Sequence, residues 1–275
     1  MSLEAAYAHC GEAARTYDRD RWLGSLFAPP AARPHLHALI AFEGEMHRLR
    51  EAVRDPRAGE IRLVWWREAL TGERRDEAQG HPVAAALIDT VEKFRPSPHL
   101  IENAISGRQA DLYDDAFPST LDLEAYLGET RSGLLQIAAV VLGHSAPEAS
   151  GLAGVALGLT ELLRGLARTR APSFAPADML ERRGVTAREF RERIASPAMT
   201  AVIGDLAAHA RKRLSEAEDA LAKLPRALAP AYSGLATAPL WLAAIERNGS
   251  RAFESAPEVA AWRRQWALWR WSRRV

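Results

Sequence analysis

Residues 39–53 read LIAFEGEMHRLREAV, and the apolar side chains in this stretch recur at spacings of three and four residues. These apolar positions are Leu39, Phe42, Met46, Leu49 and Val53. An α-helix has 3.6 residues per turn, so this spacing puts all of them on one side of a helix. The stretch therefore predicts a long amphipathic helix whose apolar stripe faces a protein core.

The same helical periodicity continues along most of the chain. No run alternates apolar and polar residues between turn dipeptides, so strands are not expected. The chain also has no internal repeat, low-complexity linker or sharp change of composition, and we predict one all-α domain over residues 1–275. The further predicted helices cover about Glu60–Leu70, Pro82–Phe94, His99–Asp114, Leu121–Leu142, Gly151–Arg168, Ala198–Leu224, Ala227–Gly249 and 257–275.

Composition excludes several classes of protein. A net charge of +1 and the absence of a recognised module argue against a nucleic-acid partner. Cys10 is the only cysteine, which excludes an internal disulfide and a thiolate zinc cage. The most apolar stretch, Leu134–Leu142, is much shorter than the ~20 residues that cross a bilayer. We expect a cytoplasmic protein, and a peripheral contact with the inner face of the membrane stays open.

Short motifs occur in a fixed order along the chain. They are Arg21-Trp22, Leu26-Phe27-Ala28-Pro29, Leu39-Ile40-Ala41-Phe42, Ile61–Arg67, Gly107–Leu112 (GRQADL), Tyr126, Leu159–Arg164 and Pro176–Leu180. In this order, from about residue 15 to beyond residue 250, the chain resembles the squalene/phytoene synthase family. The resemblance implies an isoprenoid-synthase (terpenoid synthase) helical bundle around a central cavity.

Members of that family join two prenyl diphosphates head to head, with magnesium held between two aspartate-rich helices. Magnesium neutralises the diphosphate leaving group and takes carboxylate oxygens as ligands. At the positions that match these two acidic runs, the chain has HRLRE at 47–51 and GLART at 165–169, so only Glu51 remains of the expected carboxylates. We therefore expect no cofactor, and magnesium only if the chain is an active enzyme.

The stretch from Leu112 to Asp115, continued by Tyr126 and Ser132–Leu135, is similar to one branch of the family, the phytoene-synthase-like assembly factors of respiratory complex I. This resemblance implies a non-catalytic accessory protein that binds a respiratory-complex protein or an isoprenoid-like lipid. Two alternatives stay open. The chain could be an active prenyltransferase that condenses prenyl diphosphates head to head, or a purely structural partner-binding module whose cavity is filled with side chains.

Two sets of residues are candidates near the lost acidic runs. Glu43, His47 and Glu51 follow one another at spacings of four on one helix face, either as a residual metal or diphosphate contact or as a solvated, mutually paired face. The second set is basic and would bind a diphosphate or another anion through its guanidinium groups. It comprises Arg48, Arg164, Arg168 and Arg170. Its alternative is a set of surface arginines paired with Glu45 and Glu161.

The remaining candidates lie outside those runs. Asp111, Asp114 and Asp115 form an alternative magnesium motif, although the last two would also simply end a helix before Pro118. Tyr126 matches a cavity-lining tyrosine of the family, or it is a core aromatic residue whose hydroxyl has a partner.

The C-terminal helix at 257–275 is rich in tryptophan and arginine. Trp262, Trp266 and Trp269 share one face, and Arg270 follows them. Indole and guanidinium groups both find partners in the headgroup layer of an anionic membrane, which predicts a membrane or partner contact here. The alternative is that the helix docks on the body of the protein with its arginines outward.

Overall fold

The computed structural model of the protein describes residues 1–52, 55–113, 115–169 and 173–274, without the side chains of residues 50–52 and 274. In these ranges no residue belongs to a β-strand, and the predicted all-α fold is confirmed. The helices are α1 (Leu3–Tyr17), α2 (Arg19–Ser25), α3 (Arg33–Ala52), α4 (Pro56–Thr71), α5 (Arg75–Gly80), α6 (Pro82–Phe94), α7 (Pro98–Ser106), α8 (Thr120–Leu127), α9 (Gly133–Val141), α10 (Pro147–Gly165), α11 (Ala177–Arg182), α12 (Ala187–Arg191), α13 (Pro197–Leu221), α14 (Gly234–Asn248) and α15 (Ala261–Arg274).

Proline occupies the first turn of α4, α6, α7, α10 and α13. It fits there because it lacks the N–H group that has no intrahelical partner at that position. At the start of α13, the Ser196 side chain accepts a hydrogen bond from the Met199 backbone N–H at 3.0 Å. At the start of α8, the Ser119 side chain accepts a hydrogen bond from the Asp122 backbone N–H.

Helices α3 and α10 are the two elements on which the fold is organised. Helix α3 packs against α1, α6 and α9, and α10 packs against α13, α14 and α9. A π-helical turn at Gly128–Ser132 joins α8 to α9 and lies directly against α10. A Cβ atom at Gly154 would lie 2.1 Å from the Ser132 Oγ atom, so only glycine permits this approach. This close contact positions Arg131 between α3 and α10.

Helix boundaries differ from the predicted ones at several places. The helix predicted from Ala227 begins at Gly234, the one predicted from Gly151 begins at Pro147, and the one predicted from Glu60 begins at Pro56. The predicted helix Leu121–Leu142 contains the π-helical turn, which begins at Gly128 and is followed by Gly133. The predicted helix His99–Asp114 ends at Ser106 and continues as a 3₁₀ turn over Gly107–Leu112. The C-terminal helix begins at Ala261, since residues 256–260 have no regular structure. Periodicity does not distinguish an α-helical turn from these tighter or wider ones.

Candidate functional site: a charged cluster between α3 and α10

Glu43 of α3 is fully buried and forms ion pairs with two arginines. Its Oε1 atom lies 2.6 Å from Nη1 of Arg131, and its Oε2 atom accepts a hydrogen bond from Arg21 of α2. Arg131 also donates to Glu161 of α10. Arg21, Glu43, Arg131 and Glu161 therefore form a continuous chain of charges, called here the buried ion cluster, which connects α2, α3, α10 and the π-helical turn.

The buried ion cluster strongly favours an ionised Glu43. Burial raises the pKa of Glu43, but the positive charges of Arg131 and Arg21 outweigh that effect and lower the pKa to about 2. A buried charge that loses its partner is very unfavourable in an environment of low polarity, so each member of the buried ion cluster depends on the others. Glu43 is therefore buried, and the alternative of a solvated helix face does not hold for this residue.

The other members of the first candidate set lie at the edge of this cluster. The His47 side chain is exposed, and its ring centre is 5.8 Å from that of Tyr17. Tyr17 donates a hydrogen bond to Glu161 Oε1 at 2.8 Å. Burial raises the pKa of the Tyr17 hydroxyl, which therefore stays protonated as a donor. The Glu51 side chain lies outside the described residues.

The candidate arginines are not gathered into one open anion site in the described part of the chain. Arg48 pairs with Glu45 on its own helix at 2.6 Å, as the surface alternative expects. Arg164 lies with its guanidinium carbon 3.9 Å from the centre of the Trp241 ring, and burial lowers its pKa. Arg168 is exposed. Arg170 lies outside the described residues. Glu161 pairs with Arg131 instead of with this set.

Asp111 and Tyr126 belong to a second polar group beside α8. Tyr126 donates to Asp111 Oδ1 at 2.6 Å, and Arg108 Nη1 donates to Asp111 Oδ2 at 3.2 Å and to the Tyr126 hydroxyl at 3.3 Å. Both carboxylate oxygens of Asp111 are thus used by neighbouring donors. Asp115 is exposed, and Asp114 lies outside the described residues. Within the described ranges, no group of three His, Cys, Asp or Glu residues is arranged to hold a metal ion.

Very little space remains around the buried ion cluster. The cavity bordered by Arg21, Arg131, Glu161, Arg164 and Trp241 has a volume of about 20 Å³. Ligand pockets usually enclose about 300–1,000 Å³, whereas a cavity of this size suits one water molecule. The larger cavities lie at the surface, beside α15 and between α4, α6 and α7, with volumes of about 610 and 410 Å³ respectively.

The geometry can now be compared with known proteins. The family model described as squalene/phytoene synthase matches residues 14–270.

The chain belongs to the squalene/phytoene synthase family.

Three relatives illustrate how this squalene/phytoene synthase family member compares with others. It is 28% identical to "NADH dehydrogenase (ubiquinone) complex I, assembly factor 6" of Rattus norvegicus, covering 88% of this chain and 74% of the rat protein. It is 27% identical to a 15-cis-phytoene synthase of Synechocystis, covering 66% of this chain and 58% of that enzyme. A crystal structure of a dehydrosqualene synthase in complex with ligand superimposes with a TM-score of 0.78 at 18% identity, covering 98% and 96% of the two chains.

Sequence analysis of this family member missed the role of Arg131 and the depth of Glu43. Arg131 lies among small and polar residues in the segment ETRSG, which gives no periodic signal of burial. Glu43 directly follows the apolar run LIAF and lies one helical turn after Leu39, on the same face of the helix. This position could have indicated that Glu43 is buried. Its arginine partners come from other elements, so spacing within α3 does not identify them.

Magnesium does not fit the residues that surround this site. Glu43 already has arginine partners for both of its oxygens, and Arg164 and Arg131 border the small cavity where a cation would be placed. Like charges at this range repel strongly in a medium of low polarity. The arrangement can hold helices together and neutralise buried charge. Among the described residues at the small cavity, the carboxylates of Asp18 and Glu161 are accompanied by the guanidinium groups of Arg21, Arg131 and Arg164, which does not suit a hard cation.

Proposed function

We propose that this protein is a non-catalytic member of its family that acts as an accessory protein in the assembly of respiratory complex I, by binding a protein partner. The similarity to the rat protein supports the assembly role, because that relative is named as a complex I assembly factor and its alignment covers 88% of this chain. Prenyl diphosphate condensation is not part of the proposed role.

The observation that carries the non-catalytic part is the small cavity beside the buried ion cluster, which lies between α2, the π-helical turn, α10 and α14. Only about 20 Å³ is left there, and the buried ion cluster occupies the position between the helices that match the two acidic runs of the family. Two prenyl chains with their diphosphates need a pocket of several hundred Å³. The filled interior therefore supports the partner-binding alternative over binding of a prenyl chain in the bundle.

The assembly role is tested by deleting the gene in the source organism. We expect less fully assembled complex I on native gels and a lower NADH:quinone oxidoreductase activity in isolated membranes. Succinate:quinone oxidoreductase activity serves as the control for general membrane damage and should not change. Normal levels of assembled complex I in the deletion strain would overturn the assembly role.

The same strain separates assembly from metal-dependent chemistry. At matched protein levels, complementation with the Asp111→Asn/Asp115→Asn variant should restore complex I as fully as the unaltered gene, because neither carboxylate is expected to hold a catalytic metal. Protein levels are compared by immunoblot, so that a loss of folding is recognised. Failure of a well-expressed variant would favour a role for these acids.

The non-catalytic part is tested directly with purified protein. Farnesyl and geranylgeranyl diphosphate are incubated with the protein and magnesium, and released diphosphate and C30 or C40 products are followed by mass spectrometry. An active dehydrosqualene synthase is assayed in parallel as the control. We expect no product above the protein-free background, and turnover would establish the prenyltransferase alternative whatever the deletion strain shows.

A further inference from the structure

The inner face of helix α15 fixes the helix on the body of the protein. Leu268 is 2% exposed, and the Trp271 indole N–H donates to the Ala229 carbonyl oxygen at 2.9 Å. Arg264 forms an ion pair with Asp20 of α2, which is itself buried and accepts a hydrogen bond from Trp241. These contacts leave α15 no freedom to rotate, so they also determine which of its residues point outward.

The outer face of α15 carries large aromatic side chains. Trp262, Trp266 and Trp269 are 69%, 55% and 39% exposed, and the last two stack with ring centres 4.8 Å apart. At 100° per residue, Arg270 and Arg273 fall on the same half of the helix as these tryptophans. Arg273 lies 4.1 Å from the centre of the Trp269 ring.

Some exposed arginines elsewhere in the described part of the chain are paired with a carboxylate. Arg211 and Arg183 each make paired hydrogen bonds to one carboxylate, that of Glu246 and Asp205 respectively. Arg263, Arg270 and Arg273 have no carboxylate within 4.0 Å in the described part of the chain. The outer face of α15 therefore presents several arginines beside exposed indole rings.

A groove extends this surface past the helix. It has a volume of about 610 Å³ and runs between α13, α14 and α15. Leu221, Leu224 and Leu240 line it together with Arg263 and Arg270. Phe27, which is 49% exposed, borders a second groove of about 390 Å³ at the other end of α15. Apolar residues and arginines thus lie close together in the groove beside α15 and on the outer face of this helix.

We propose that the outer face of α15 docks this protein on the surface of an anionic lipid bilayer. Tryptophan rings enter the boundary between headgroups and acyl chains, and the arginines pair with lipid phosphates. The helix has 14 residues, about 21 Å of length, and lies along the surface. No helix in the described ranges is long and apolar enough to cross a membrane.

A lipid surface fits these observations better than a protein surface does. A bilayer offers phosphates next to apolar chains everywhere, which matches arginines interleaved with tryptophans and with apolar grooves on either side. This docking is independent of the proposed assembly role, since it depends only on the surface chemistry of α15.

The test is co-sedimentation with vesicles of phosphatidylcholine alone or mixed with about 30% phosphatidylglycerol. We expect binding to the anionic vesicles, little binding to the neutral ones, and release by added salt. The Arg263→Ala/Arg270→Ala/Arg273→Ala variant should bind at least tenfold more weakly, because each basic residue near an anionic surface contributes roughly a fivefold factor.

A matched control separates local from overall charge. The Arg15→Ala/Arg75→Ala/Arg188→Ala variant removes exposed arginines elsewhere and also changes the formal net charge from +1 to −2. We expect it to bind anionic vesicles like the unaltered protein. Equal loss in both variants would overturn the proposal, since binding would then follow net charge alone.

Depth of insertion is tested with lipids brominated on their acyl chains. Bromine quenches tryptophan fluorescence on contact, and we expect quenching in the unaltered protein that disappears in the Trp262→Ala/Trp266→Ala/Trp269→Ala variant. Circular dichroism and thermal melting confirm that the variants remain folded. Absence of quenching and of vesicle binding in the unaltered protein would overturn the membrane proposal and leave a protein partner as the occupant of this face. The complex I phenotype of the deletion strain is measured independently of vesicle binding, so that the two proposals can fail separately.

Discussion

Nη1 of Arg131 lies 2.6 Å from Oε1 of Glu43, in the interior between α3 and α10. The pair joins the π-helical turn to α3, and Arg21 completes the pairing of the same carboxylate. This relationship places fixed positive charge near the two segments that match the acidic runs of the family and have lost their carboxylates.

The Glu43→Gln substitution should destabilise the protein by about 3–5 kcal/mol, because it leaves Arg21 and Arg131 buried without their shared counter-charge. Unfolding in urea, followed by circular dichroism, measures the change. The matched control is Glu12→Gln, in an exposed pair with Arg15, which should cost less than 1 kcal/mol. Similar values for both variants would show that the buried pairing contributes little.

The contribution of Glu43 should depend on pH in a defined direction. Its pKa is lowered to about 2 in the folded protein, below its ordinary value near 4.5. The stabilisation is therefore fully present above about pH 4.5 and is lost as the pH falls through the folded pKa. We expect the difference in unfolding free energy between the unaltered protein and Glu43→Gln to be constant from pH 7 to pH 5 and to shrink below pH 4. A difference that grows on acidification contradicts this.

The Asp111→Asn substitution should affect stability and leave magnesium affinity unchanged. Asp111 accepts hydrogen bonds from Tyr126 and Arg108, and its loss as an anion leaves the buried guanidinium of Arg108 less well paired. We expect a cost of about 2 kcal/mol in urea unfolding, within the range for hydrogen bonds to charged groups. Calorimetric titration with magnesium should show no specific binding before or after the substitution. Specific binding that Asp111→Asn abolishes would restore the metal motif.

The Leu268→Ala substitution should loosen α15 without unfolding the rest of the protein. Leu268 is the most buried of the described side chains on this helix, and large-to-small changes at such positions cost about 2–5 kcal/mol. Brief digestion with trypsin should then cut faster after Arg263, Arg264 and Arg270. Gln265→Ala, at an exposed position of the same helix, serves as the control and should leave the cleavage rate unchanged.

Local patterns in the sequence were sufficient for the fold class and for much of the helix layout. The apolar stripe of α3 from Leu39 to Leu49 lies in the protein core, as predicted. Val53 lies outside the described residues. Such periodicity is a property of neighbouring residues, so it needs no knowledge of the rest of the fold. The segments that match the two acidic runs of the family, at 47–51 and 165–169, have only Glu51 as a carboxylate, and this loss is likewise visible in the sequence.

Tertiary structure decided which charges meet and which helix face points outward. Glu43 pairs with Arg21, 22 positions away, and with Arg131 from a different element, and nothing in the spacing of either segment identifies these partners. Sequence analysis placed Trp262, Trp266 and Trp269 on one face of α15, but only docking through Leu268 and Trp271 makes that face the exposed one. A helical pattern states which residues share a side, whereas the packing of elements distant in the chain determines what that side contacts.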